Sequence, residues 1–402
     1  MNYVFNNDEY KNKLLERFLR YVKIWTESDG EAADNGVFPS TQRQFDLARI
    51  LESELTAFGL EEVQVTDDCY VYGYLPATPA VPEPVEGVEG PSADSILLLA
   101  HMDTVDEVTG KDVKPVLSQE GDDTIIHSDG TTLLGGDDKA GVSAIMECLE
   151  YLISHPELPH CPLEVIFSPD EETGHGMDRV PLHLIKSKYA YTVDGGAEGE
   201  LESECFNAWA CTADFTGKAC HTGDAKALGM INASLMAGDF VSKLPHDKLP
   251  ETTEDHEGFI ALMEISGTIE KASAQFLLRA FNIEEIEAEK RLLERNANEI
   301  MKKYGGKIEL TFKQQYLNMK DELDKHPQVL SRLENAYKEA GVQIIRKPIR
   351  GGTDGSRLTE MGIPTPNIFT GGHEFHSRNE WVSLNSMCKA ADVLINLLSG
   401  DI

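Results

Sequence analysis

The chain is expected to be an α/β protein, a mixed and largely parallel sheet flanked by helices, with an α+β domain inserted in it. Three observations predict this. Short apolar strands alternate with amphipathic helices in the first half, as in buried parallel sheets. The polar clusters HMD, PDEE and VDGG follow those strands at once, where ligands sit in such sheets. From about residue 208 the order changes to strand, helix, two strands, helix, strand, the ferredoxin-like βαββαβ pattern.

Taken in order, Tyr10, Leu14, Phe18, Val22 and Trp25 recur at helical spacing among charged residues and predict a packed first helix. A second helix over 41–58 stops near Gly59, and strands follow at 62–66 and 69–75. Residues 76–94 carry five prolines, four acids and no Lys or Arg, which suits an extended connector. Strand 95–100, helix 140–154 and strands 163–168 and 189–193 continue the layer. The insertion comprises strand 208–216, helix 228–243, strands 258–268 and 274–282, helix 283–304 and strand 307–316. Helices 328–340 and 384–398 return to the first pattern. Residues 1–207 and 318–402 are thus expected to form the catalytic domain, with 208–317 as an inserted lid or dimerisation domain.

At 402 residues the chain exceeds what one hydrophobic core usually supports. Its 36 basic and 69 acidic residues give a net charge of −33, which opposes binding to nucleic acid or anionic lipid. The seven cysteines are odd in number and form no CxxC pair, so a reducing, cytoplasmic setting is expected. No signal-peptide pattern opens the chain, and the apolar run at 96–100 is far too short to cross a membrane.

His101 and Asp103 follow a buried strand and alternate onto one side, which suits a ligand and the carboxylate that orients it. Taken alone, HxD equally fits a structural histidine. In Gly135-Gly136-Asp137-Asp138 either acid can cap the next helix or project into a cleft. Asp170-Glu171-Glu172 is harder to explain without a cation, because three acids at a strand end repel one another. Asp194 ends another strand before Gly195-Gly196, and His376 lies in Gly371-Gly372-His373-Glu374-Phe375-His376. Oxygen and nitrogen donors without thiolate fit zinc, and a pair of ions sharing one carboxylate would use five such ligands.

HMDTV, GGDDKAG, PDEETG, YTVDGG, GKACHTGDAK, IRGGTDGS and NIFTGGHEFH occur in the order, and nearly at the spacing, found in the peptidase T family, from about residue 15 to 398. The chain thus resembles that family of tripeptide aminopeptidases, which belongs with carboxypeptidase G and the aminoacylases among the co-catalytic zinc hydrolases. The resemblance implies two Zn²⁺ per chain, replaceable by Co²⁺ or Mn²⁺. One would take His101 and Asp194, the other Glu172 and His376, with Asp137 bridging and a cis peptide bond after it. It further implies that Asp103 orients His101, that Glu171 is the general base, and that Arg279 and Arg350 take the substrate carboxylate. His221 would reach the scissile carbonyl, often across a homodimer. The expected function is release of the N-terminal residue of short peptides, most of all tripeptides. A dipeptidase, carboxypeptidase or deacylase would share every ligand, and a noncatalytic metal- or peptide-binding protein is a further alternative. Three departures stand out: a longer connector, Thr222 where the family often has proline, and His373 as a second histidine beside His376.

Overall fold

The computed structural model describes residues 4–78 and 94–399; most of the connector expected at 76–94 lies outside them. The chain divides into two compact units, one of residues 1–203, 319–347 and 353–402, the other of residues 204–318 and 348–352.

The first unit is built on an eight-stranded sheet. Its order is Glu61–Val65, Val71–Leu75, Leu163–Ser168, Ile96–His101, Ala190–Gly195, Asn367–Phe369, Glu200–Glu202 and Ile345–Arg346. The four strands from Leu163–Ser168 to Asn367–Phe369 run parallel, and antiparallel partners flank them. Ile96–His101 and Leu163–Ser168 are buried throughout, as strands covered on both faces must be. The helices Asp8–Tyr21, Gln44–Phe58, Gly136–Ser154, Pro327–Glu339 and Leu384–Ser399 surround the sheet. Asn7 accepts the Glu9 N–H at the start of the first helix, and Gly59, at φ 85°, ends the second.

Arg17, spaced as part of the apolar stripe's helix, is itself buried. Its Nε donates to Glu147 Oε2 at 3.0 Å, and its Nη atoms pair with Glu54 and Glu150, tying three helices together. A second, antiparallel sheet was not expected from the sequence: Gly372–His373, Trp381–Ser383, Asp123–His127 and Val116–Glu120. Its hairpin turns at Gly121 (φ 66°), and only Ile125 and Ile126 of that hairpin are buried, so it carries almost no hydrophobic alternation.

The second unit has an antiparallel sheet in the order Phe259–Gly267, Lys271–Ala280, Asn207–Thr216, Lys307–Tyr316, the ferredoxin-like order for its βαββαβ sequence. Trp209, Cys211, Ala213, Phe215, Phe276 and Leu278 on the strands meet Phe240 on helix Ala233–Val241 and Leu293 on helix Ile283–Tyr304 in one core. The helix expected over 228–243 is broken: Gly229 turns left-handed (φ 64°), and a new helix starts at Asn232, whose side chain accepts the Leu235 N–H.

Candidate metal centre

Sheet register sets the first three positions. His101 ends the central strand opposite Ser168, Asp194 sits at the end of the next parallel strand, and the turn after Ser168 carries Glu171 and Glu172. Asp194 is fixed from behind, its N–H donating to Asn367 Oδ1 at 3.0 Å.

Asp137 arrives from the turn that precedes helix Gly136–Ser154. That turn needs Gly135 at φ 80°, Asp137 and Asp138 have non-helical dihedrals, and the peptide bond between them is cis. His376 comes from the loop after Gly372–His373 and has φ 57°.

These five side chains form one alternating row. Asp137 Oδ1 lies 2.9 Å from His101 Nε2, and its Oδ2 lies 3.2 Å from His376 Nε2. Each imidazole faces a second carboxylate: Asp194 at 3.5 Å from His101, and Glu172 at 3.0 Å from His376. Asp137 therefore stands between two histidines, one oxygen toward each. His101, Asp137 and Glu172 bring ligand atoms within 4.8 Å of one another, as do His101, Asp138 and Asp194. Asp138 is the weaker donor of the two adjacent acids, because its carboxylate already accepts the His101 and Gly141 N–H groups.

The electrostatics fit a cation. Burial, reinforced by Asp137, pushes Glu172 up to about 8, and burial holds Asp194 at about 6 against the pull of His101. Burial also raises Glu171 well above the usual carboxylate range. Asp137 is the exception: burial would raise it, but His101 and His376 outweigh that and hold it low. His376 rises to about 11 beside Asp137 and Glu172. Carboxylates packed this closely out of water keep their protons unless positive charge is brought in, and oxygen and imidazole donors without thiolate suit zinc.

The model of peptidase family M20/M25/M40 matches residues 97–400. The chain belongs to this family. Peptidase T of Clostridium perfringens (strain SM101) is 43% identical over 412 residues, covering 96% of this chain and 98% of that protein. The fold is similar to that of the aminopeptidase PepT from Bacillus cereus, with TM-score 0.76, 24% identity, and coverage of 97% of this chain and 98% of that one. It is also similar to that of a dinuclear metal binding peptidase of the M20 family from Bacillus subtilis, with TM-score 0.67, 14% identity, and coverage of 97% and 98%. At these identities the structural likeness speaks for the fold.

In this M20 family member the adjacent acids divide sharply. Asp170, at φ 56°, turns away and accepts the Ser40 N–H (2.6 Å), the Ser40 hydroxyl (2.5 Å) and Gln44 Nε2 (2.6 Å). Asp103 is fully buried, accepts the main-chain N–H groups of Glu171 (3.0 Å) and Glu172 (3.2 Å), and lies 3.3 Å from His101 Nδ1. The Glu171 side chain has no hydrogen-bond partner among the described residues. His373 stacks on Trp381 at 3.9 Å and 11°, away from the row, so its neighbour His376 is the histidine that joins it.

The other candidates belong to the second unit. His221 is exposed, its Nδ1 accepting the Gly223 N–H at 3.2 Å. Arg279 is buried, donates to the carbonyls of Trp209 and Leu278, and lies over the Tyr316 ring. Arg350 donates to the carbonyls of Asp255 and Glu257 and to Thr253 Oγ1, beside the rings of Phe206 and Phe259.

Two buried acids near the row escaped the sequence. Asp354 accepts the Ser168 hydroxyl at 2.5 Å, and Glu380 holds the turn of Asp137. The only signal for Asp354 was its place in IRGGTDGS; for Glu380 there was none.

Proposed function

We propose that the protein is a metallo-aminopeptidase that releases the N-terminal residue of short peptides, tripeptides foremost. The observation that carries this is the Asp137 carboxylate set between His101 and His376, each with a second carboxylate and with Glu171 alongside. The kinship with Peptidase T, together with the likeness to a protein described as the aminopeptidase PepT, supports the N-terminal specificity.

In this reading His101 and Asp194 would hold one divalent ion and Glu172 and His376 the other, with Asp137 shared between them. When bound, the ions supply Lewis acidity that polarises the scissile carbonyl and acidifies the attacking water. Glu171, whose side chain has no hydrogen-bond partner among the described residues and whose carboxyl the charge of the ions would hold ionised, would take a proton from the attacking water and return it to the leaving amine. Asp103 fixes the orientation of His101 and, through two main-chain bonds, the turn that carries the base. Arg279 and Arg350 are the candidate groups for the substrate carboxylate, and His221 for the carbonyl.

The second unit would serve as lid and dimerisation element. Met263 and Ile265 stand exposed on its edge strand, a surface that a second copy could cover. All seven cysteines are free, and among the described residues no helix is long and apolar enough to cross a membrane.

The test is Ala-Ala-Ala with free or blocked ends, incubated with the zinc-loaded protein and the products weighed. Release of one alanine and Ala-Ala, abolished by acetylating the amine, is expected. Cleavage that ignores the blocked amine but needs a free carboxylate would assign a carboxypeptidase instead.

A further inference from the structure

Glu380 lies 243 residues from Asp137 in sequence, in the loop just before strand Trp381–Ser383, and is 1% exposed. Its Oε2 accepts the N–H groups of Leu134 and Gly135, both at 2.8 Å, and its Oε1 accepts that of Asp137 at 3.0 Å. One carboxylate thus takes up three main-chain donors of the turn that presents Asp137. Helix starts leave such donors unpaired, and here Asp137 and Asp138 have non-helical dihedrals and the N-cap Gly135 offers no side chain to cap them.

Glu380 closes the loop that also carries His376. Between them Ser377 Oγ donates to the Glu374 carbonyl at 2.7 Å and accepts the Asn379 N–H at 3.1 Å, and the Glu380 N–H reaches the Ser377 carbonyl at 3.4 Å. The loop from Glu374 to Glu380 is therefore braced on itself. Glu380 and His376 thus share one braced loop.

The fit is close. A Cβ on Gly136 would come within 2.5 Å of Val382 Cγ2 and 3.0 Å of Glu380 Oε1, so the second glycine of GGDD is the one that lets this strand and carboxylate approach. Lys139, buried in the same helix start, donates to the Ile24 carbonyl and lies near Glu380 as a compensating charge.

We propose that Glu380 is a positioning residue that clasps the Asp137 turn to the His376 loop, setting the spacing of these two side chains and hence the affinity for both metal ions. The inference rests on the metal reading above and adds a residue that touches no ion. Glutamine in its place keeps the size but turns an NH₂ group toward main-chain N–H donors. Aspartate keeps the charge but is one methylene short of the three donors.

The experiment measures Zn²⁺ affinity of chelator-stripped protein by competition with a chromophoric chelator, together with the melting temperature of the stripped protein. Wild type must bind Zn²⁺; if it binds none, the metal reading itself fails before any variant is considered. Given that binding, Glu380→Gln is expected to weaken affinity roughly 10–100-fold, as loss of an outer partner does, and Glu380→Asp to fall between. Gly136→Ala, which pushes on Glu380 from the turn side, should weaken it too. Should Glu380→Gln not fold, the Glu380→Asp affinity decides. Variants that melt earlier yet bind Zn²⁺ within twofold of wild type would make Glu380 a part of the fold alone and overturn the proposal.

Discussion

The Asp103 carboxylate accepts the main-chain N–H of Glu171 at 3.0 Å while lying 3.3 Å from the His101 ring. One buried acid therefore links the first imidazole of the row to the turn that carries the proposed base. Asp103→Asn puts an NH₂ group against either that ring or a main-chain N–H. Zinc affinity should fall roughly 10–100-fold and turnover with it. Equal affinity and turnover in the variant would cut Asp103 out of the account.

Arg17 predicts a stability effect with no catalytic one. It is buried among Glu147, Glu54, Glu150 and the Tyr21 hydroxyl. Arg17→Met leaves Glu147 without its countercharge, and removing one partner of a buried pair costs about 3–5 kcal/mol. Urea unfolding should show that loss while kcat of the folded fraction stays the same. A loss under about 1 kcal/mol would mean that the cluster is solvated in the manner of a surface pair.

Glu289 gives the second unit a pH dependence. It is buried on helix Ile283–Tyr304, neither carboxyl oxygen has a hydrogen-bond partner among the described residues, and burial with the Glu285 charge pushes it up to about 9. The unfolded chain ionises it near 4.5, the ordinary value. The folded state therefore holds the extra proton between these values, so its contribution is complete below about 4.5 and is lost as pH rises toward 9. Glu289→Gln removes that decline. The stability of the variant relative to wild type should grow from pH 5 to 9 in urea titrations; a constant difference would show that Glu289 ionises normally in the fold.

The connector's composition gives a further test. Thr78 is buried, donates its N–H to the His160 carbonyl and accepts the His160 N–H at 3.1 Å. Deleting 79–93 should leave melting temperature and turnover nearly unchanged, whereas a deletion that includes Thr78 should lower the melting temperature. The same loss from both deletions would show that the intervening residues contribute to packing.

The five side chains of the row were legible as candidates because they sit at punctuation points. His101, Glu172 and Asp194 follow buried strands, and Asp137 and His376 follow paired glycines, so apolar runs and glycines locate them. What joins them was not legible. Glu380 has no motif, and its role depends on a loop meeting a turn 243 residues away. The choice of His376 over His373 depends on a ring stacked on Trp381, which spacing does not encode. Asp170 looked like part of an unneutralised acidic run until Ser40 and Gln44 proved to hold it. The hairpin Val116–Glu120 and Asp123–His127 buries too little to leave a pattern.

The most direct test separates the adjacent glutamates. Glu172 faces His376 at 3.0 Å, whereas the Glu171 side chain bonds to none of the described residues. Glu171→Gln should keep zinc content at the wild-type level while turnover falls by roughly 10²–10⁴, the usual cost of a lost general base. Glu172→Gln should lower zinc content as well as rate. Metal analysis beside kinetics on both variants decides: zinc lost from the Glu171 variant but kept by the Glu172 variant would reverse the two roles, and unchanged kinetics in both would remove this turn from the chemistry.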